Sequence, residues 1–312
     1  DIKAIVEAIG ANGVSAILPC FLCRRILSFK AKQEDTLADL VDFRDLSCLD
    51  EHLWGKHTNA SLTKLLNDLE VASDTLTGAE LKRKQTLSGY KHMPNNFLRN
   101  QYTVPRPIDC IILDWMHLVF QSADWNREMY GCLTAGTTRA THAYQLLQPY
   151  VDAYDFPHAA QSVKGLLCDK HWEACKTAEM FKATASDGLA LFAVCSKFFD
   201  DVLLPRHVGH ASHAGLQARV TSYHKLADCT DLLQVCKHGM DTCPDLLEGK
   251  VMEWRVANQA AYGNNLTYLK THLTQHLPDI IRKRSASISG NRTLIACWAL
   301  DRGLMRWCMC MH

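Results

Sequence analysis

Cys20-Phe21-Leu22-Cys23 constrains this chain more than any other stretch. Two thiols one tight turn apart make up half of a tetrahedral zinc site. No second Cys-x-x-Cys occurs to supply the other half. The best remaining pair is His272 and His276, whose i, i+4 spacing sets both rings on one helix face. A metal shared by these four residues would staple the two ends of the sequence together. Everything between would then be an excursion that leaves from, and returns to, one site.

Composition sets the frame for that excursion. The chain has 312 residues, 47% of them apolar, enough for one large or two ordinary domains with a sizeable core. No apolar run is long enough to span a bilayer, and no signal peptide is visible. The opening Asp1-Ile2-Lys3-Ala4, with no initiator Met, reads as the middle of a domain. A net charge of +1 means that any nucleic-acid surface must be local. The 14 cysteines sit among Leu, Val and Phe, which points to a reducing compartment rather than a disulfide framework. Cys229, Cys236 and Cys243 recur every seven residues, which favours one side of a helix over a metal cluster.

Ile2, Ile5, Val6 and Ile9 predict a first helix, ended by Gly10 and Gly13. Arg24, Arg25, Lys30 and Lys32 form a first basic cluster, read as DNA contact or as a solvated face. Leu62, Leu65, Leu66 and Leu69 predict an amphipathic helix over 61–71, followed by Lys82-Arg83-Lys84 and a polar link over 88–107. Ile108 to Leu113, short and β-branched, reads as a buried strand. It leads into Asp114-Trp115-Met116-His117, where a carboxylate and an imidazole stand three residues apart. They are either site residues or a helix cap with an ordinary histidine.

Helices are expected near 118–134, 139–153, 158–182, 186–203, 210–240 and 244–270, punctuated by Pro149, Pro157, Pro205 and Pro244. His207, His210 and His213 have no carboxylate or thiolate among them and are read as ordinary histidines. No phosphate loop, Rossmann fingerprint, Gly-x-Ser-x-Gly elbow or long repeat is present. After the histidine pair, Pro278 is expected to stop the helix. Arg282-Lys283-Arg284 would then sit in a loop, as a phosphate contact or a solvated face. The stretch 293–307 reads as a short helix carrying Asp301 among Trp298, Leu300, Leu304 and Trp307, either at an exposed face position or as a buried functional carboxylate.

The order of these features resembles the catalytic core of DDE transposases of the CACTA (En/Spm) type, and more distantly the catalytic subunit of the V(D)J recombinase. The resemblance implies a mainly α chain with a small β remnant, the C-terminal part of an RNase H-like fold interrupted by a large helical insertion. Residues 1–117 would be a truncated core, 118–270 the insertion and 271–312 the return segment. Asp1 looks like the family's second catalytic aspartate, and Asp114 and His117 match its Asp-x-x-His signature. Cys20, Cys23, His272 and His276 look like its zinc ligands. Asp301, with Arg302 after it, stands where the family usually has Glu, and Glu253 is a less well placed substitute. The family's first aspartate has no counterpart in the chain.

The chemistry so implied is in-line attack of water or a DNA 3′-hydroxyl on a phosphodiester, with two Mg2+ or Mn2+ ions held by carboxylates. The zinc would be structural. Partners would be DNA, namely transposon ends, and further copies of the chain, with no membrane; the location would be nuclear in a eukaryote and otherwise intracellular. Two other readings stay open. One is a non-catalytic, zinc-stabilised DNA- or protein-binding module derived from such an element. The other is a helical interaction protein without metal.

Overall fold

The computed structural model describes residues 2–13, 16–28, 42–94, 96–99, 106–111, 113–135, 140–237, 243–264 and 267–288. The expectations placed on Asp1, Asp301 and the 293–307 helix lie outside these residues. The fold is mainly helical. Among the described residues the only sheet is one parallel pair, β1 (Ile26–Leu27) beside β2 (Arg44–Asp45). No described helix is long and apolar enough to cross a membrane.

Local chemistry sets the first elements. Helix α1 (Ile2–Ile9) ends where Gly10 and Gly13 each take φ +72°, a conformation that costs a side-chain-free residue nothing. Helix α2 (Asn59–Thr75) starts from a reciprocal Thr58–Ser61 capping box and buries Leu62, Leu66 and Leu69. Helix α3 (Gly78–Ser88) starts from a second box, Thr77–Glu80, and ends on Gly89 at φ +77°. Lys82, Arg83 and Lys84 lie exposed along it.

The expected strand over 108–113 does not form. Pro107–Cys110 is a 3-10 turn, and the backbone N–H of Ile108 donates to Asn59 Oδ1 at 2.8 Å. Ile111 and Leu113 are buried all the same. A short apolar run signals burial, and here helices provide it without a strand partner.

The helical body comprises α4 (Trp115–Val119), α5 (Asp124–Thr134), α6 (Ala140–Asp152), α7 (Asp169–Ala178), α8 (Ala185–Phe198), α9 (His213–Lys237) and α10 (Pro244–Tyr262). Two short helices follow, α11 (Leu269–Thr274) and α12 (Leu277–Ile288). Helices α9 and α10 pack along one another, α5 packs on α9, and α11 packs on α4. Buried side chains form one continuous core from Ile9 to Ile281.

Pro157 and Pro244 stand at the starts of elements, as expected, whereas Pro149, Pro205 and Pro278 act differently. Pro149 lies inside α6. Ahead of Pro205, α8 passes into a π turn, Phe199–Leu203, and the Leu204 N–H reaches back to Phe199 O. Such a widened turn accommodates a residue that has no N–H to give. The stretch expected as one helix to 270 ends at Gly263, with φ +62°, and restarts at Leu269. Pro278 sits in the first turn of α12, so it opens a helix instead of stopping one. Cys229 is buried on α9, whereas Cys243 is exposed at the N-cap of α10, so the heptad of cysteines does not share a helix.

A buried polar cluster joins α5, α9 and α10. Glu128 Oε1 accepts from Trp254 Nε1 at 2.7 Å, Asn258 Nδ2 at 2.9 Å and Ser222 Oγ at 3.0 Å. Burial pushes the Glu128 carboxyl up to about 7, against the pull of those three donors. A carboxyl raised in this way favours the folded state most while protonated, and the benefit fades as pH climbs from about 4.5 through about 7. The stability of the chain is therefore expected to fall across that window, by on the order of 3 kcal/mol from this group. Glu128→Gln keeps the accepting oxygen and cannot ionise. Chemical denaturation from pH 5 to pH 8 should show a flatter profile for the variant, and a more stable variant at pH 8; identical slopes would refute this account.

Candidate metal centre

The thiol pair is held by its own turn and by the strand-like segment opposite. The Cys23 N–H reaches Cys20 O at 3.4 Å, closing the turn. Across from it, Arg24 N–H donates to Gly55 O at 3.0 Å, Arg25 N–H to Trp54 O at 3.1 Å and His57 N–H to Leu22 O at 2.8 Å. The Tyr90 hydroxyl clamps the turn from behind, donating to Phe21 O at 2.6 Å. Gly55, at φ +59°, lets the Arg25 side chain cross it: an added Cβ would meet Arg25 Cδ at 2.9 Å. The sequence between the cysteines is apolar, so this knuckle buries itself. Cys20 and Cys23 are each 2% exposed.

The histidines arrive from the other end of the chain. Helix α11 is a short helix driven into the core, with Leu269, Thr271, His272, Leu273 and Thr274 all buried. His276 lies beyond its last turn, in the corner that leads to α12, where its N–H bonds Leu273 O at 3.0 Å. The corner stays close to helical geometry, with Gln275 at φ −68°, ψ −16°. The i, i+4 relation therefore survives the end of the helix, and both rings point at the thiols.

Four donors around a tetrahedral zinc, at ~2.3 Å for sulfur and ~2.0–2.1 Å for nitrogen, lie ~3.3 Å apart for N···N and ~3.6 Å for N···S. Here His272 Nε2 and His276 Nε2 are 3.2 Å apart. Cys23 Sγ stands 3.5 Å from His272 Nε2 and 3.3 Å from His276 Nε2, and Cys20 Sγ 3.6 Å from His276 Nε2. The four donor atoms all lie within 4.8 Å of one another, the only such group of metal-ligating side chains among the described residues. They fit a metal ion such as zinc, with every coordination position filled by protein.

Charge points the same way. Burial opposes ionisation of both thiols. At Cys20 it is outweighed by the hydrogen bond to Cys23 and by His272, which hold the thiol down at about 5. At Cys23 burial is reinforced by the Cys20 charge, and the thiol is pushed well up. Unaided, the protein favours one thiolate; a divalent cation is what stabilises two. Burial lowers both imidazoles, His276 to about 3, so the rings are neutral and ready to ligate. Trp54 walls the site, its ring centroid 4.8 Å from His272 and 5.1 Å from His276. Lys56 lies over Trp54 and bridges Glu51 and Asp279, at 2.5 Å from each.

The other expected site residues fare unevenly. Asp114 caps α4, accepting from the N–H groups of Met116 at 3.0 Å and His117 at 3.4 Å, and its second oxygen holds His117 Nδ1. The capping alternative is therefore what the pair shows. Arg24 and Arg25 are exposed beside the knuckle. Arg282 is a correction: it lies in α12, not a loop, and is tied to Asp245 at 2.8 Å, Glu248 at 2.5 Å and Asp279 at 2.7 Å. Three carboxylates already occupy the guanidinium that was to meet phosphate. Lys283 and Arg284 follow it in the same helix. Glu253 is an exposed ion-pair partner of Lys225 and Lys250, far from the role of a metal carboxylate. His207 Nδ1–H donates to Leu203 O at 2.8 Å, and His207 belongs to no described metal group.

Sequence reasoning missed Trp54, Lys56 and Asp279 around the metal, and the buried Asp124, Glu128 and Arg255 behind it. The one available signal was Asp124 and Glu128 at i, i+4 on a stretch that also carries Trp125 and Met129 at buried positions. Comparison with protein-family models, with curated proteins and with solved structures finds no match.

The purified chain is expected to carry one zinc per molecule by elemental analysis. Cys23→Ser should abolish stoichiometric metal and lower Tm by ~10 °C or more, the scale for losing several kcal/mol from a chain of this size. Equal metal content in the variant, or none in the parent, would refute the site.

Proposed function

We propose that this chain is a zinc-stapled portion of a transposase-like polynucleotidyl transferase, the C-terminal part of an RNase H-like core interrupted by a helical insertion, and that it acts on DNA. One observation carries this reading. Cys20 and Cys23 meet His272 and His276 across 249 to 256 residues, with a helical body between them, the layout that the CACTA-type resemblance requires. Zinc, in a closed Cys2His2 set, would fix the early knuckle against the late helices and carry no chemistry itself. In-line phosphodiester chemistry would fall to Asp1 and Asp301 with Mg2+ or Mn2+. Arg24 and Arg25, exposed beside the knuckle, would meet the DNA backbone.

The second reading is a non-catalytic, zinc-stabilised DNA- or protein-binding module of the same descent. It draws support from Asp114, whose carboxylate is committed to capping α4 and holding His117, and from Arg282, which is neutralised within the fold.

Duplex DNA binding by the zinc-loaded chain, measured against salt, tests both readings. The log–log slope is expected to become shallower by ~2 in the Arg24→Ala, Arg25→Ala double variant. Nicking of supercoiled DNA with Mg2+ or Mn2+ supports the transferase; binding without nicking selects the module. No binding at low salt would sink both as DNA-directed readings.

A further inference from the structure

The buried polar cluster behind the metal site holds matched sets of unmade hydrogen bonds. A metal on Nε2 leaves the imidazole proton on Nδ1, and metal-bound histidines almost always donate that proton to a carboxylate, carbonyl or water. The Nδ1 of His272 is buried and has no partner. The residue before it, Thr271, donates its hydroxyl to Asp124 Oδ1 at 2.5 Å. Asp124 is 3% exposed, and its second oxygen, Oδ2, is unpartnered.

Arg255 completes the picture from α10. It is wholly buried, its Nη1 lies 3.3 Å from Asn258 Oδ1, and its Nε and Nη2 have no partner. Its charge bears on Asp124 and Glu128, and also reaches the ring of His272. Donors without acceptors and acceptors without donors thus face one buried cluster, built from α5, α10 and α11. Unmet polar groups at this depth are costly, so an arrangement that satisfies them together is favoured.

We propose that Asp124 belongs to the outer shell of the metal centre, taking the Nδ1–H of His272 by way of a bridging water. The inference rests on the metal reading above and deepens it. Two rival acceptors are weaker. Glu128 also has a buried unpartnered oxygen, Oε2, but the three donors that hold its Oε1 come from α9 and α10 and not from the helix that carries His272. Gln275 is buried with both amide atoms unpartnered, but an amide can turn either atom toward the ring and so fixes no tautomer. Asp124 alone is bonded to the residue adjoining the ligand. Through it, α5 of the helical body would orient a histidine that serves the knuckle at the opposite end of the sequence.

Zinc affinity of the full chain, measured by competition with a chromophoric chelator, tests this together with 15N-histidine spectra of the zinc-loaded protein. Asp124→Asn is expected to weaken zinc binding 10–100-fold and to shift the Nδ1–H resonance of His272 while that of His276 stays in place, on the order typical of outer-shell changes. Thr271→Val removes the hydroxyl that holds Asp124 and that also accepts the Tyr268 N–H at 3.2 Å; provided the variant keeps the helical content of the parent, it should move the same resonance and decides the matter if Asp124→Asn does not fold. Gln275→Leu should alter neither readout, and a shift there instead would overturn the assignment of Asp124. A parent chain that takes up no zinc overturns the metal site itself. A parent that binds zinc, with both Asp124→Asn and Thr271→Val keeping its affinity within roughly threefold and the His272 resonance unmoved, overturns this inference and leaves the metal site standing.

Discussion

Two thiols buried side by side against two buried imidazoles cannot all be satisfied by one another, and the remainder of the structure is arranged around that fact. Each ring is kept neutral by burial, and one thiol is lowered at the expense of its neighbour. A divalent cation resolves the conflict at once, because two thiolates and one such ion are electrically neutral together. The wall around the site is consistent with neutrality. Trp54 presents an apolar face to both rings, and Lys56, which lies over Trp54, is already balanced by Glu51 and Asp279.

The length of the loop that the metal closes determines when it can act. Joining residues about 250 positions apart in an unfolded chain costs ~5 kcal/mol of conformational entropy, ~2 kcal/mol more than closing a loop a tenth as long. The knuckle does not depend on the metal for its form, since Gly55, Trp54 and Leu22 already bond across it and Tyr90 clamps it. Nor does α11, all of whose residues but Lys270 are buried. A metal bound here would therefore be a latch between two preformed pieces and not the nucleus from which they fold. Ions that bind only the folded arrangement still add their full binding free energy to its stability.

The metal site was legible because its information is local at each end. A Cys-x-x-Cys turn and an i, i+4 histidine pair each announce a geometry, and only their meeting needed the fold. Helix α2 was legible for the same reason, as Leu62, Leu66 and Leu69 fall on one face. What failed depended on partners that no short window contains. Ile108–Leu113 looked like a strand because it is apolar and β-branched, yet Asn59 took the Ile108 N–H and left a 3-10 turn. Arg282 looked available for phosphate because Asp245 and Glu248 come from α10, well upstream in sequence. Pro278 was read as a stop because a proline at the second position of a helix and a proline after one look alike until the next helix is seen.

The same distinction bears on where a polyanion could approach. A cavity of about 80 Å3 opens beside His276, lined by Lys56, His57, Arg106, Asp109, Asp279 and Lys283. Its position next to the metal invites a phosphate, but Arg106 is paired with Asp109 at 2.5 Å and Lys56 with two carboxylates. A phosphate would have to break those pairs, exchanging satisfied partners for itself at little gain. Arg24 and Arg25 are differently placed. They are exposed on the knuckle, and the one side-chain hydrogen bond of Arg24 there goes to a neutral acceptor, Gly55 O at 3.2 Å. Among the described residues no carboxylate pairs with that guanidinium, so phosphate contact at this edge would release counterions without breaking a described ion pair. The latch would then hold in place the very turn from which these two cations project.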